Sequence, residues 1–124
     1  MSNNILMNLS FSVNYKNRTI VSACYMKSNE ILAITFASDD SINIVSFDRQ
    51  KVYDFVEDLN ALTRSCDIIE STQQDNVKIE YIASENIFKL VVTDKNSIKE
   101  DLYWLKGSDL CLFADWLNNV TRKD

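Results

Sequence analysis

From Ile5 to Tyr15 the chain alternates: Ile5, Met7, Leu9, Phe11, Val13 and Tyr15 share one parity, and Asn8, Ser10, Ser12 and Asn14 share the other. A repeat of two is that of a strand with one face in a core and one in water. The next forty residues narrow the fold further. Lys16-Asn17 reads as a tight turn, since Asn tolerates the left-handed conformations such turns use. Residues 18–26 (RTIVSACYM) are apolar on both parities and are expected to be a central strand. Ser28-Asn29 turns the chain into 31–37 (ILAITFA), and Asp39-Asp40 turns it into 42–47 (INIVSF). Connections this short allow only antiparallel neighbours, because parallel pairing needs a crossover of about a dozen residues.

A helix is expected next. Asp48 is the expected N-cap, its carboxylate accepting from free amides of the first turn. Val52, Phe55, Val56, Leu59 and Leu62 recur at helical spacing, with Arg49, Asp54, Glu57, Asp58 and Arg64 on the outer face. The helix is expected to end near Arg64. Residues 67–71 (DIIES) are then expected as a short strand, and Ser71 to Asn76 as a polar loop. Strands are expected over 77–83, 87–93 and 101–105. A second helix starts at Gly107-Ser108, with Leu110, Phe113, Leu117 and Val120 on its buried face.

The two halves align at an offset of 58 residues. Val52, Phe55, Val56, Leu59, Asn60 and Leu62 fall on Leu110, Phe113, Ala114, Leu117, Asn118 and Val120. Residues 44–47 fall on 102–105, and Leu32–Thr35 fall on Leu90–Thr93. The expectation is an α+β fold of antiparallel meander sheets with the order ββββα–(β)βββα and two amphipathic helices packed on the sheets. Residues 1–124 form a single domain, with halves of about 1–66 and 67–124.

Composition excludes several chemistries. The 124 residues include no histidine, no proline, one glycine and three cysteines, with a formal net charge of -5. Without histidine there is no Ser-His-Asp triad, Cys-His pair or His-ligated zinc, and one glycine cannot build a phosphate-binding loop. The adjacent pairs Asp39-Asp40, Glu57-Asp58 and Glu100-Asp101 make no dyad, because neighbouring residues point apart in strand and helix. The chain is therefore read as non-enzymatic, with no cofactor and no metal. The amino terminus lacks the basic and apolar regions of a secretory signal, and no run approaches membrane-helix length, so a cytoplasmic location is expected. Cys24, Cys66 and Cys111, widely spaced and without a CxxC pair, fit a reducing compartment.

In element order the tandem ββββα plan resembles the Whirly, PC4-like and PUR-repeat proteins. That resemblance implies curved sheets presented to single-stranded nucleic acid. The helix segments VYDFVEDL (residues 52–59) and LCLFADWL (residues 110–117) look like those of small WapI-like bacterial immunity proteins, which implies binding and neutralising a toxin. Two binding expectations result. The first is a protein-binding module of the immunity-protein or phage-inhibitor type. It would use the acids Asp54, Glu57 and Asp58, with Tyr103 or Trp104 as aromatic anchor, against a basic partner such as a toxin or a nucleic-acid-handling enzyme. The alternative is nucleic-acid binding through Lys16, Arg18, Tyr25 and Lys27, in a stretch with no acid from Met1 to Asn29. A homodimer completed through the edge strand 5–15 is a third expectation.

Overall fold

Residues 6–65, 70–94, 96 and 98–122 are described by the computed structural model of the chain. The long alternating segment becomes β1 (Leu6–Tyr15), paired antiparallel along its whole length with β2 (Asn17–Met26). Lys16 makes the reversal at φ 60. β3 (Ile31–Ala37) and β4 (Ile42–Asp48) complete a four-stranded sheet of order β1-β2-β3-β4. Helix α1 (Gln50–Ser65) comes next. The second half repeats the plan with β5 (Ser71–Gln74), β6 (Val77–Ile82), β7 (Ile87–Thr93), β8 (Glu100–Lys106) and α2 (Gly107–Val120). Its sheet has the order β5-β6-β7-β8. The fold is thus α+β, two antiparallel four-stranded meanders each followed by a helix.

The helices carry their apolar residues where the periodicity places them. Val52, Phe55, Val56, Leu59 and Leu62 are buried in α1, and Leu110, Phe113, Ala114, Leu117 and Val120 are buried in α2. Every one of these pairs is 58 residues apart, so the two helices use the same face. They use it against each other. Phe55 and Phe113 meet edge to face with ring centroids 6.2 Å apart. Asn60 donates to the Asn118 Oδ1 at 2.9 Å, and Asn118 returns the bond to Asn60 Oδ1 at 2.7 Å. Asn43 Nδ2 donates to Asp101 Oδ2 at 2.8 Å, again across 58 residues. When equivalent positions touch one another, the halves are related by a local two-fold axis, as in an isologous dimer. The packing is also exchanged: α1 lies on β5 of the other half, and α2 lies on β1. One continuous core takes in both sheets and both helices.

Three local expectations need correction, and a fourth falls largely outside the described residues. Asp48 does not cap α1. It is the last residue of β4, paired with Ile31, and the chain turns through Arg49 at φ 50 before the helix starts at Gln50. Residues 71–74, expected as loop, form β5, an edge strand held by its register with β6 rather than by apolar alternation. The short strand expected over 67–71 lies for the most part outside the described residues. The alignment of Leu32–Thr35 with Leu90–Thr93 is two residues out of register. Ile31 pairs with Asp48 and Ile87 with Lys106, so β3 and β7 correspond at an offset of 56. The two additional residues lie in the longer β7–β8 connection, whereas β4, β8 and both helices keep the offset of 58.

The halves differ most in the first hairpin. Phe11 pairs with Val21, as Gln74 pairs with Val77 in the second half. Beyond that level β5–β6 turns at once through Asp75, while β1–β2 runs on through Ser12–Ile20, Val13–Thr19, Asn14–Arg18 and Tyr15–Asn17. This extension has no counterpart in the other sheet.

With one glycine in the chain, other residues take the left-handed turn positions. Among the described residues these are Lys16, Glu30, Arg49, Asp75, Asn86 and Ile98, at φ 50 to 60. Glu30 and Asn86 occupy the same place in the two sheets. Ile98 is the least suited, because its branched Cβ crowds the backbone there, and its side chain is 83% exposed. Ile98→Gly is expected to raise the unfolding free energy by about 1 kcal/mol in urea denaturation; an unchanged midpoint would show that the strain is absent. At the helix seam, Phe113→Ala is expected to cost about 3–5 kcal/mol by the same measurement, more than an equivalent truncation at a half-buried position.

Candidate interaction surfaces

The acids Asp54, Glu57 and Asp58 lie on the water side of α1, opposite its buried face. Glu57 is exposed, while Asp54 and Asp58 are half-buried, and Asp54 accepts from Gln50 Nε2 at 3.1 Å. This face is not purely acidic: Lys51 pairs with Asp75 at 3.0 Å, and Arg64 is exposed near the helix end.

The two expected aromatic anchors have opposite fates, set by strand parity. Tyr103 faces inward and is fully buried, against Phe36 with ring centroids 5.5 Å apart. Its hydroxyl lies 2.9 Å from Ser41 Oγ and accepts from Asn43 Nδ2 at 2.7 Å. This hydroxyl network ties the β3–β4 turn of one half to β8 of the other. Tyr103 is a core residue and not a surface anchor. Trp104 points the other way and stays half-exposed.

Trp104 is where the hairpin extension lands. The Tyr15 ring lies 5.8 Å from it, and the Lys16 ammonium sits 4.6 Å from the indole centroid. Lys16 also reaches Glu85 at 3.5 Å, and Tyr15 hydrogen-bonds the same carboxylate. So the tip of the first sheet folds onto the outer side of the second, beside the β6–β7 turn. The nucleic-acid expectation is divided by this geometry. Lys16 and Arg18 are together at the tip, and both are exposed. Tyr25 is buried in the core. Lys27 lies past the far end of β2, about 30 Å away at the rise of an extended strand. The four residues do not form one patch.

A different surface is visible only once the register is known. On the outer face of the first sheet, cross-strand rows read Ser12–Ile20–Ala37–Ile42, Ser10–Ser22–Thr35–Ile44, Asn8–Cys24–Ala33–Ser46 and Leu6–Met26–Ile31–Asp48. Each of these residues is exposed or half-buried, and Asp48 is the one charged residue in the four rows. Ile42 and Ile44 on edge strand β4 are 67% and 71% exposed. The outer face of the second sheet contrasts with it: Lys78 and Lys89 both reach Glu80, and Ile87 and Val91 are buried. The sequence signal for the open face was the apolar parity of Ile42 and Ile44 opposite to that of Val45 and Phe47.

Two tyrosines give the fold a measurable response to base. Partial burial, then the hydrogen bond and charge of Glu30, hold the Tyr53 phenol above its ordinary 10.0; a hydrogen bond with Tyr25 opposes this. Its hydroxyl donates to Glu30 Oε1 at 2.9 Å. Partial burial and Glu85 raise Tyr15 in the same way. The folded state therefore keeps these protons more tightly than the unfolded chain. The stability they contribute is fully present below pH 10.0 and is lost as pH climbs from there through the raised folded values. Urea denaturation between about pH 9 and pH 11 is expected to show a falling midpoint that the Tyr15→Phe, Tyr53→Phe double variant flattens; a slope identical to wild type would remove both groups from the account.

No helix among the described residues is long and apolar enough to cross a membrane. No protein-family model and no curated protein matches the chain. Among solved structures, the chain is similar to an SsgA-like sporulation-specific cell division protein from Thermobifida fusca YX-ER1. The TM-score is 0.56 at 10% identity, over 97% of this chain and 85% of that one. At that identity the likeness is one of fold alone.

Proposed function

We propose that this chain is a non-enzymatic module that recognises another protein and inhibits or regulates it, in the manner of an immunity protein or phage inhibitor. The observation that carries this reading is the open outer face of the first sheet. A broad, exposed surface of isoleucine, small hydroxyls and alanine suits the apolar centre of a protein interface. Its four rows hold none of the lysines and arginines that phosphate binding depends on, and Arg18 stands at their margin on the hairpin tip. The acids Asp54, Glu57 and Asp58 lie on the helix side rather than on this face. They would favour a basic partner through long-range attraction, and occlusion of that partner's working surface would be the mode of action.

The competing reading is a single-stranded nucleic-acid-binding module. Lys16 and Arg18 beside the half-exposed rings of Tyr15 and Trp104 support it, since such a tip offers cations next to stacking surfaces. Against it, Lys16 is already held by Glu85 and the Trp104 ring.

Retention of a basic protein from the native host by the immobilised chain separates the two. The expected result is one partner, retained less on the Glu57→Lys, Asp58→Lys double variant and lost on Ile44→Asp. Retention unaffected by either change would overturn the reading. A fluorescent oligonucleotide is expected to show no binding at low salt; binding weakened by Lys16→Glu with Arg18→Glu would favour the competing one instead.

A further inference from the structure

We infer that the outer face of the first sheet is covered by a second copy of this chain, packed face to face about a two-fold axis parallel to the strands. This rests on the proposed reading that the face binds protein: in the free chain a second copy closes the face, and a host partner would have to displace it.

The relief of the face is self-complementary. With the axis between β2 and β3, rotation lays β4 of one copy over β1 of the other and β3 over β2, row on row. Ile44 then meets Ser10, Ile42 meets Ser12, and Ile20 meets Ala37. In these two rows each isoleucine faces a small residue, and every contact occurs twice, as an isologous interface requires. Sheets packed in this way lie about 10 Å apart with strands within about 30° of one another.

Charge points the same way. Two copies of a chain with net charge -5 repel, yet the one charged residue in these rows is Asp48, which the rotation sets over Leu6 at two corners of the interface, once from each copy. The acids of α1 remain on the far side of each copy. Part of the cost of burying the trough hydroxyls is already met: Ser10 Oγ and Ser22 Oγ lie 3.2 Å apart, one donating to the other.

The area suffices. Four strands about 4.8 Å apart, with outward residues about 6.7 Å apart along each, span roughly 500 Å2. Two such faces bury about 1,000 Å2 even before side-chain relief is added, the lower bound for a specific interface.

Sedimentation equilibrium of the full chain tests the pairing. Wild type is expected to reach twice the monomer mass with rising concentration, and the pair is expected to tighten with added salt, because screening relieves repulsion between acidic copies. Ile44→Asp is expected to weaken it about 100-fold or more, since each copy loses a buried side chain and gains a buried charge. Ser10→Arg, at an exposed position on an edge strand, is expected to weaken it at least about tenfold by filling the trough. Melting curves of both variants report whether they fold, and Ser10→Arg keeps the test open if Ile44→Asp does not. A wild type that stays monomeric to about 1 mM, or a dimer indifferent to Ser10→Arg, would overturn the inference. A monomeric wild type that still retains a host protein, lost on Ile44→Asp, would overturn self-pairing and leave the protein-binding reading standing.

Discussion

The contact between α1 and α2 is the interaction on which the rest of this fold depends. Each meander alone has one apolar face, and a single helix of fourteen to sixteen residues covers only a stripe of it. The halves solve this by exchange, each helix lying across the first strand of the other. Phe55 and Phe113 fill the crossing point, and the reciprocal amides of Asn60 and Asn118 fix its register. Neither sheet would keep a closed core if the seam opened, because its covering residues come partly from the opposite half.

A two-fold seam would make the two outer faces alike, and they are not. The additional strand pairs of the first hairpin place Tyr15 and Lys16 on Trp104, on the outer side of the second sheet. The short β5–β6 hairpin makes no matching reach toward the first sheet, where Ser46 stands at the position equivalent to Trp104. One sheet is thus dressed with ion pairs and an aromatic clasp, while the other remains an open field of small and aliphatic side chains. The surface proposed here for binding is therefore a product of the departure from the repeat rather than of the repeat.

Much of this fold was readable from periodicity. The strands bounded by Asn, Asp and Ser turns, both helix faces and the offset of 58 stem from side chains that must face a core every second or every third to fourth residue. What escaped depends on partners distant in the chain. The run Ser71–Gln74 has no apolar alternation, and only pairing with β6 makes it a strand. Asp48 has the chemistry of an N-cap, but β4 continues through it because Ile31 lies opposite. The surfaces were harder still. Of Tyr103 and Trp104, parity decides which one is buried, and parity is set by Leu105 packing inward. Tyr25 has a ring suited to stacking on bases, yet it faces the same core. The open face of the first sheet is a property of four strands in register, and no single strand announces it.

The longer hairpin also bears on how large an assembly this chain can form. A molecule with two bare, matching sheet faces would stack without end, each copy offering its far side to the next, and the product would be a fibre. Here the clasp of Tyr15 and Lys16 on Trp104, with the charges beside it, leaves one face bare and not two. If the open face pairs as proposed, growth by stacking stops at two copies, and a few additional residues in one hairpin then act as the terminator of what would otherwise be a polymer.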